Sequence, residues 1–169
     1  MSKSLHPSEP RGYFGLVFWA PKYPGNLGAA LRSAVVFGAK FAIIAGDRYR
    51  RDRGDVVNAV EHIPIWNCPL DMETVLGLIP PTCAPVVVEL GEDHKPLPHV
   101  NHPVNAAYIF GPEDGSVPAG FLHGHQRIQI PGAGCLNLAV AASIVLYDRS
   151  AKRARLYRRE QIKELALVS

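Results

Sequence analysis

The sequence predicts an α/β fold in which helices cover both faces of a parallel sheet. Short runs such as "YFGLVFWA" (13–20) and "APVVVEL" (84–90) are apolar without alternation, which is typical of strands buried on both faces. Between such runs lie segments with apolar residues at helical spacing, such as "LGAALRSAVVFGA" (27–39). The 169 residues suit one domain. We expect that domain to span 13–169, after a loose polar arm at 1–12.

The other elements follow along the chain in the same alternation. In the first helix, Asn26 can cap the start and Gly38 can end it. A second helix over 71–79 is stopped by Pro80 and Pro81. The remaining apolar segments predict strands at 40–46, 63–68, 105–111 and 126–131, a short helical segment within 56–63, and one terminal helix or two in sequence over 136–165.

The composition is that of a globular protein, with a mildly basic net charge of +3. Three cysteines form no CxxC pair and no ligand cluster with histidine, so we expect reduced thiols and no metal. We interpret the seven scattered histidines as surface residues. The first residues lack the apolar region of a signal peptide, and no apolar stretch is long enough to span a membrane. These features predict a cytoplasmic protein without a membrane partner.

Three loops at predicted strand ends are rich in Gly, Pro and small polar residues: 21–28, 110–118 and 131–137. In parallel α/β sheets, ligands bind beyond the carboxyl ends of the strands. Loops of this composition bring backbone N–H and C=O groups close to a ligand. We therefore expect a pocket lined by backbone at this edge.

Three polar side chains in or near these loops each allow two interpretations. Arg32 is either an exposed helix arginine or a contact for an anion or polarised oxygen. Glu113 caps a turn or belongs to a site, and Asn137 caps a helix or supplies an amide to the pocket. The basic runs 47–55 and 148–160 are either solvated faces or binding surfaces.

Three segments, "PKYPGNLGAALRSAVVFGA", "IFGPEDGSVP" and "IQIPGAGCLNLAVAASIVLYD", resemble in order and spacing the three motifs of the SpoU/TrmH branch of the SPOUT RNA methyltransferases. The first resembles N-x-G-x-x-x-R, the second F-G-x-E, and the third the family's I-P…S-L-N segment. Two positions depart from the pattern. Cys135 stands where the family usually has Ser, and Ser116 where it tends to have Gly.

The resemblance implies a C-terminal trefoil knot that holds S-adenosylmethionine by backbone groups, and methyl transfer to an RNA ribose 2′-hydroxyl. The catalytic residues it implies are Arg32, Asn26, Glu113 and Asn137. The cofactor positions it implies are Leu90 or its neighbour Glu89, Gly111, Ile130, Cys135 and Leu136. It also implies a homodimer, and the short chain is most similar to members that modify tRNA. RNA phosphates would then contact the basic runs, through Arg48, Arg50, Arg51, Arg153, Arg155 and Arg158.

Other hypotheses stay open at this stage. The chain could be a catalytically inactive RNA-binding protein of the same fold, or it could methylate rRNA or another RNA. The methyl acceptor could be a base nitrogen. An unrelated nucleotide-binding α/β domain is the hypothesis from another class.

Overall fold

A computed structural model describes residues 12–46 and 58–166, with side chains up to residue 156. The helices are α1 (Pro24–Val36), α2 (Met72–Leu78), α3 (Ala119–Leu122) and α4 (Leu138–Ala166), with 3₁₀ turns at Ala59–Glu61 and Leu97–His99. The strands are β1 (Phe14–Trp19), β2 (Phe41–Ala45), β3 (Ile65–Cys68), β4 (Ala84–Val88), β5 (Lys95–Pro96), β6 (Ala106–Phe110) and β7 (Gln126–Gln129).

The seven strands form one sheet in the order β3-β2-β1-β6-β4-β7-β5, and every pairing is parallel. The predicted fold class is therefore confirmed. Because the strands are parallel, their carboxyl ends meet at one edge of the sheet. That edge brings together the loops that follow β1, β6, β4 and β7, which are consecutive neighbours.

Helices cover both faces of the sheet, which explains the continuous apolar runs. On one face, α1 and α4 bury residues such as Leu31 and Leu146 against the strands. On the other, α2 and α3 contribute Val75 and Phe121. All five residues of β6 are buried.

The structure corrects the start of α1. The helix begins at Pro24, with Tyr23 as its N-cap residue, so the prediction that Asn26 caps it is wrong. Proline is well suited to the first helical turn because its φ is already helical and its missing N–H would have no partner. The predicted end is confirmed, since Gly38 follows the helix with a φ of 79°.

The sequence did not predict α3, the 3₁₀ turn at Leu97–His99 or β5. The last is a two-residue edge strand that contains proline. In residues 58–63, the described part of segment 56–63, the 3₁₀ turn at Ala59–Glu61 is the one helical element. Residues 136–165 contain one helix rather than two. Most of the 1–12 arm and all of run 47–55 lie outside the described residues. The trefoil knot stays a prediction. No helix within the described ranges combines the length and the apolar character that crossing a membrane requires.

Candidate active site

Three polar side chains from three different loops join at the carboxyl edge of the sheet. Asn26 Nδ2 donates a hydrogen bond of 2.8 Å to Glu113 Oε1. Asn137 Nδ2 donates one of 2.7 Å to Asn26 Oδ1. We call Glu113, Asn26 and Asn137 the carboxyl-edge network. It links the loop after β6, the start of α1 and the start of α4.

Backbone groups hold both ends of this network. The Lys22 N–H donates to Glu113 Oε2 at 2.9 Å. At the other end, Asn137 precedes α4, and its Oδ1 accepts the Ala139 N–H at 2.8 Å. Asn137 is therefore both the N-cap of α4 and a donor to the network, so its two readings from the sequence are compatible.

A pocket lies beside the network, beyond the ends of β4, β6 and β7. All five residues predicted to contact a cofactor line it: Leu90, Gly111, Ile130, Cys135 and Leu136. Glu113 lines it as well. Two of the three predicted loops, 110–118 and 131–137, line this cavity, whereas loop 21–28 contributes no lining residue and reaches the site through hydrogen bonds such as that from Asn26 to Glu113. The role of each lining residue stays a prediction.

A side chain at Gly111 would crowd the wall of the pocket. A Cβ at this position would lie 3.2 Å from both Glu89 Oε2 and the Val117 N atom, closer than is usual for such contacts. Glycine at this position therefore lets the Glu89 carboxylate and the Val117 backbone pack directly against the end of β6.

Arg32 does not join the network. It lies six residues after Asn26, which at 3.6 residues per turn places the two about a third of a turn apart around the helix. Its side chain is exposed, on the same stripe of α1 as Ala29 and Val36. The side chain has no hydrogen bond or ion pair with any residue that the structure describes. Three of the four implied catalytic residues are hydrogen-bonded to one another, and Arg32 makes no hydrogen bond with them in this single chain.

The predicted RNA-contacting residues divide into three groups. Arg155 is exposed on α4, and Arg153 is half-buried on the same helix. Arg48, Arg50 and Arg51 lie outside the described residues, as does the side chain of Arg158.

Two other basic residues of run 148–160 are not available for phosphate contact. Arg149 is only 4% exposed and donates to the carbonyl oxygens of Pro103 and Val104, each at 2.7 Å. Lys152 donates to the Leu97 carbonyl at 2.7 Å. For these two residues the prediction of an exposed phosphate-binding surface is wrong, because the helix turns them onto the loop before β6.

Arg149 and Lys152 belong to a second polar cluster, the amino-edge network, together with His102, Tyr108 and Asp148. His102 bonds through Nδ1 to Tyr108 Oη at 2.7 Å and through Nε2 to Asp148 Oδ2 at 2.8 Å. Lys152 Nζ pairs with the same carboxylate at 2.6 Å, and Arg149 donates to Tyr108 Oη at 3.2 Å. This network joins α4 to the amino end of β6.

Burial dominates the ionisation of this second network. It lowers the pKa of His102, with the hydrogen bond that His102 donates to Asp148 acting in the opposite direction. It raises the pKa of Tyr108 to about 12. His102 and His94 are both buried, so the prediction that all histidines are surface residues is wrong for these two.

The described residues contain no group of His, Cys, Asp and Glu side chains that could hold a metal ion. Cys68, Cys83 and Cys135 are free thiols, and Cys135 is the exposed one. Glu89, whose carboxylate also lines the pocket, was named from the sequence only as a neighbour of Leu90. Its position directly after the buried run "VVV" is the signal that could have pointed to the side chain itself.

Comparison with known proteins identifies the family. Residues 13–147 match the family model of the SpoU rRNA Methylase family. No curated protein sequence matches the chain. The match covers well over half of the chain, which belongs to this family of RNA methyltransferases. The resemblance drawn from the three motifs is confirmed.

Solved structures share the fold at low sequence identity. The SpoU methyltransferase AviRb from Streptomyces viridochromogenes is 23% identical with a TM-score of 0.70, over 85% of this chain and 60% of that one. A structure titled for 2-OH methylation of C/U34 on tRNA is 21% identical with a TM-score of 0.70, over 82% of this chain and 95% of that one. The A. aeolicus TrmH/SpoU tRNA modifying enzyme is 18% identical with a TM-score of 0.72, over 87% and 77%. The chain thus spans less than two thirds of AviRb and nearly all of the second protein.

Proposed function

We propose that the chain transfers a methyl group from S-adenosylmethionine to a ribose 2′-hydroxyl of RNA, most specifically of tRNA. The observation that carries this proposal is the carboxyl-edge network. Glu113, Asn26 and Asn137 come from three separate motifs, yet they form one continuous chain of hydrogen bonds beside the pocket. A set of unrelated capping residues would have no reason to converge there.

The pocket residues fit S-adenosylmethionine. Gly111, which presents only backbone to the pocket, and the apolar side chains of Leu90, Ile130 and Leu136 suit an adenosine held by backbone groups and apolar contacts. AviRb has also been solved in complex with AdoMet. When bound, this cofactor supplies an electrophilic methyl group, so the protein has to position the acceptor and ease the loss of its proton.

Arg32 is the residue we propose for that task. A guanidinium is a poor base, since its pKa exceeds about 12, but its fixed charge stabilises a developing alkoxide. An RNA phosphate beside the arginine would assist in activating it. Glu113 and Asn26 would hold the loops on which the ribose rests. Arg32 is exposed and does not line the pocket of its own chain, so this mechanism needs a ribose bound partly by a second chain.

We therefore propose a homodimer that pairs the exposed faces of α1 and α4. The two helices meet where Ser33 Oγ and Ser143 Oγ lie 2.8 Å apart. Around this contact Val36, Val140 and Tyr147 are 57%, 46% and 66% exposed, an apolar surface that a second copy would bury. Sedimentation should give a dimer at micromolar concentration, and a stable monomer would remove the proposal.

The assignment to tRNA rests on size and charge. The chain spans 95% of the protein whose structure title names C/U34 of tRNA. Exposed Arg155 on α4 can contact a phosphate, which adds affinity without sequence information. A cytoplasmic location, where free thiols are ordinary, completes the proposal.

The test is single-turnover methyl transfer to purified tRNA and rRNA, followed by mapping of 2′-O-methyl sites in total RNA with and without the gene. We expect one ribose position in tRNA to depend on the gene. A site in rRNA would favour the alternative substrate. Methylation of a base nitrogen would contradict the ribose assignment, and cofactor binding without transfer to any RNA would favour an inactive RNA-binding protein.

A further inference from the structure

The side chains that line the pocket carry an unbalanced negative charge. Among the described residues, the charged groups in the pocket wall are the carboxylates of Glu89 and Glu113, and no lysine or arginine lines it. The nearby Lys22 ammonium is engaged outside the pocket, 2.7 Å from Asp114. A pocket of this composition favours a ligand with a net positive charge.

Glu89 differs from Glu113 because its side chain bonds to no other side chain in the described structure. Glu89 Oε2 accepts the Val117 N–H at 3.3 Å, and Oε1 accepts the Leu90 N–H at 3.2 Å. Both hydrogen bonds are long and come from neutral donors. A carboxylate has about four acceptor sites, so Glu89 keeps capacity for a ligand.

The backbone around Glu89 fixes where that carboxylate lies. The Glu89 N–H donates to the Ile128 carbonyl at 3.0 Å, which continues the pairing of β4 with β7. The Glu89 carbonyl accepts from His94 Nδ1 at 2.8 Å if that nitrogen carries the proton. Gly111 leaves space directly beside Oε2. The carboxylate is therefore held in the pocket wall, between the ends of β4 and β6.

We propose that Glu89 makes the pocket select the charged methyl donor over its uncharged product. This inference rests on the proposed function. S-adenosylmethionine carries a sulfonium, whereas S-adenosylhomocysteine has a neutral thioether, and the two share every other group. A carboxylate in the pocket wall stabilises the bound sulfonium by Coulomb attraction, whereas it gives the neutral thioether no such stabilisation. Transfer of the methyl group would then weaken binding and help the product to leave.

The experiment measures the dissociation constants of both compounds by calorimetry. Glu89→Gln keeps the shape of the side chain and one acceptor but removes the charge. We expect this variant to raise the dissociation constant of S-adenosylmethionine on the order of tenfold, which is the effect of one partly screened charge pair. The dissociation constant of S-adenosylhomocysteine should change much less. Glu89→Asp keeps the charge and should keep the preference. The matched control is Glu92→Gln, which removes the same charge at an exposed position and should change neither constant.

Three outcomes would overturn this inference. Equal weakening of both compounds by Glu89→Gln would mean that the side chain only forms hydrogen bonds or holds the loops. Unchanged constants would mean that it does not sense the ligand. If folded wild-type protein binds neither compound, the proposed cofactor itself is wrong, so failure of the proposed function and failure of this inference give different results.

Discussion

The carboxyl and amino ends of the sheet each carry a cluster of hydrogen-bonded polar side chains, and the clusters differ in their exposure. In the amino-edge network, His102 and Arg149 are buried and bonded to partners within the chain. In the carboxyl-edge network, Asn26 and Glu113 are half-buried and Asn137 is exposed. The two networks therefore perform different tasks, because a buried, satisfied network fixes structure whereas a more exposed one can still bind a ligand.

Helix α4 connects the two clusters. Its first residues are capped by Asn137 beside the pocket, and three turns later Arg149 and Lys152 fix it to the loop before β6. The amino-edge network thus sets the direction of the helix whose start helps to form the pocket. Substitutions near the carboxyl edge should therefore mainly affect methyl transfer, and substitutions in the amino-edge network should mainly affect the free energy of unfolding.

The largest effect is expected at Arg32, which lies on α1 six residues after Asn26 of the carboxyl-edge network. Arg32→Ala should lower single-turnover methylation by on the order of a hundredfold or more, because a preorganised charge is lost. Stability should stay within about 0.5 kcal/mol, since the side chain is exposed. Arg32→Lys should fail almost as badly, because an ammonium lacks the planar fork. A variant that methylates at the wild-type rate would end the case for this residue.

The amino-edge network is tested by Arg149→Met. This change leaves two carbonyl oxygens and Tyr108 Oη without their donor, and we expect it to lower the free energy of unfolding by about 2–3 kcal/mol. The matched control is Arg155→Ala on the same helix. That exposed change should leave stability within about 0.5 kcal/mol and weaken RNA binding in a salt-dependent way. The free energies of unfolding are measured with denaturant. Equal values for the two variants would contradict a structural role for the amino-edge network.

Asn137 offers a pair of variants that separates its two contacts. Asn137→Ala loses the cap of α4 and should cost about 1 kcal/mol of stability. Asn137→Asp keeps the acceptor for the Ala139 N–H but loses the donor to Asn26. It should stay close to wild type in stability and still lose activity. Equal activity of Asn137→Asp and wild type would show that the link to Asn26 does not matter.

A smaller effect should come from the pH dependence of the amino-edge network. Burial lowers the pKa of His102 in the folded chain, so below about pH 6.5 the unfolded chain takes up a proton that the native histidine resists. The free energy of unfolding should therefore keep its full value above about pH 7 and fall as the pH drops towards 5. The free energy of unfolding of His102→Gln should be lower at neutral pH and depend less on pH. The same slope in both proteins would contradict this assignment.

The sequence predicted the fold well because the central strands β1, β2 and β6 are buried on both faces, which gives unbroken apolar runs such as 41–45. It also predicted two loops that line the pocket, 110–118 and 131–137, since Gly and Pro follow the strands there. The bond between Asn26 and Glu113 spans 87 positions, and no local pattern contains it. Arg149 was misassigned for a related reason. A basic run does not show which of its members the helix turns inward.

The central claim is that the carboxyl-edge pocket holds S-adenosylmethionine. Calorimetry of folded wild-type protein should show about one molecule bound per chain. Gly111→Val should weaken this binding at least tenfold, since even a Cβ there would lie 3.2 Å from Glu89 Oε2 and larger atoms would enter the pocket. Thermal unfolding of the variant serves as the control for its fold. Absence of binding by the wild type, or equal binding by wild type and a folded Gly111→Val, would contradict the claim.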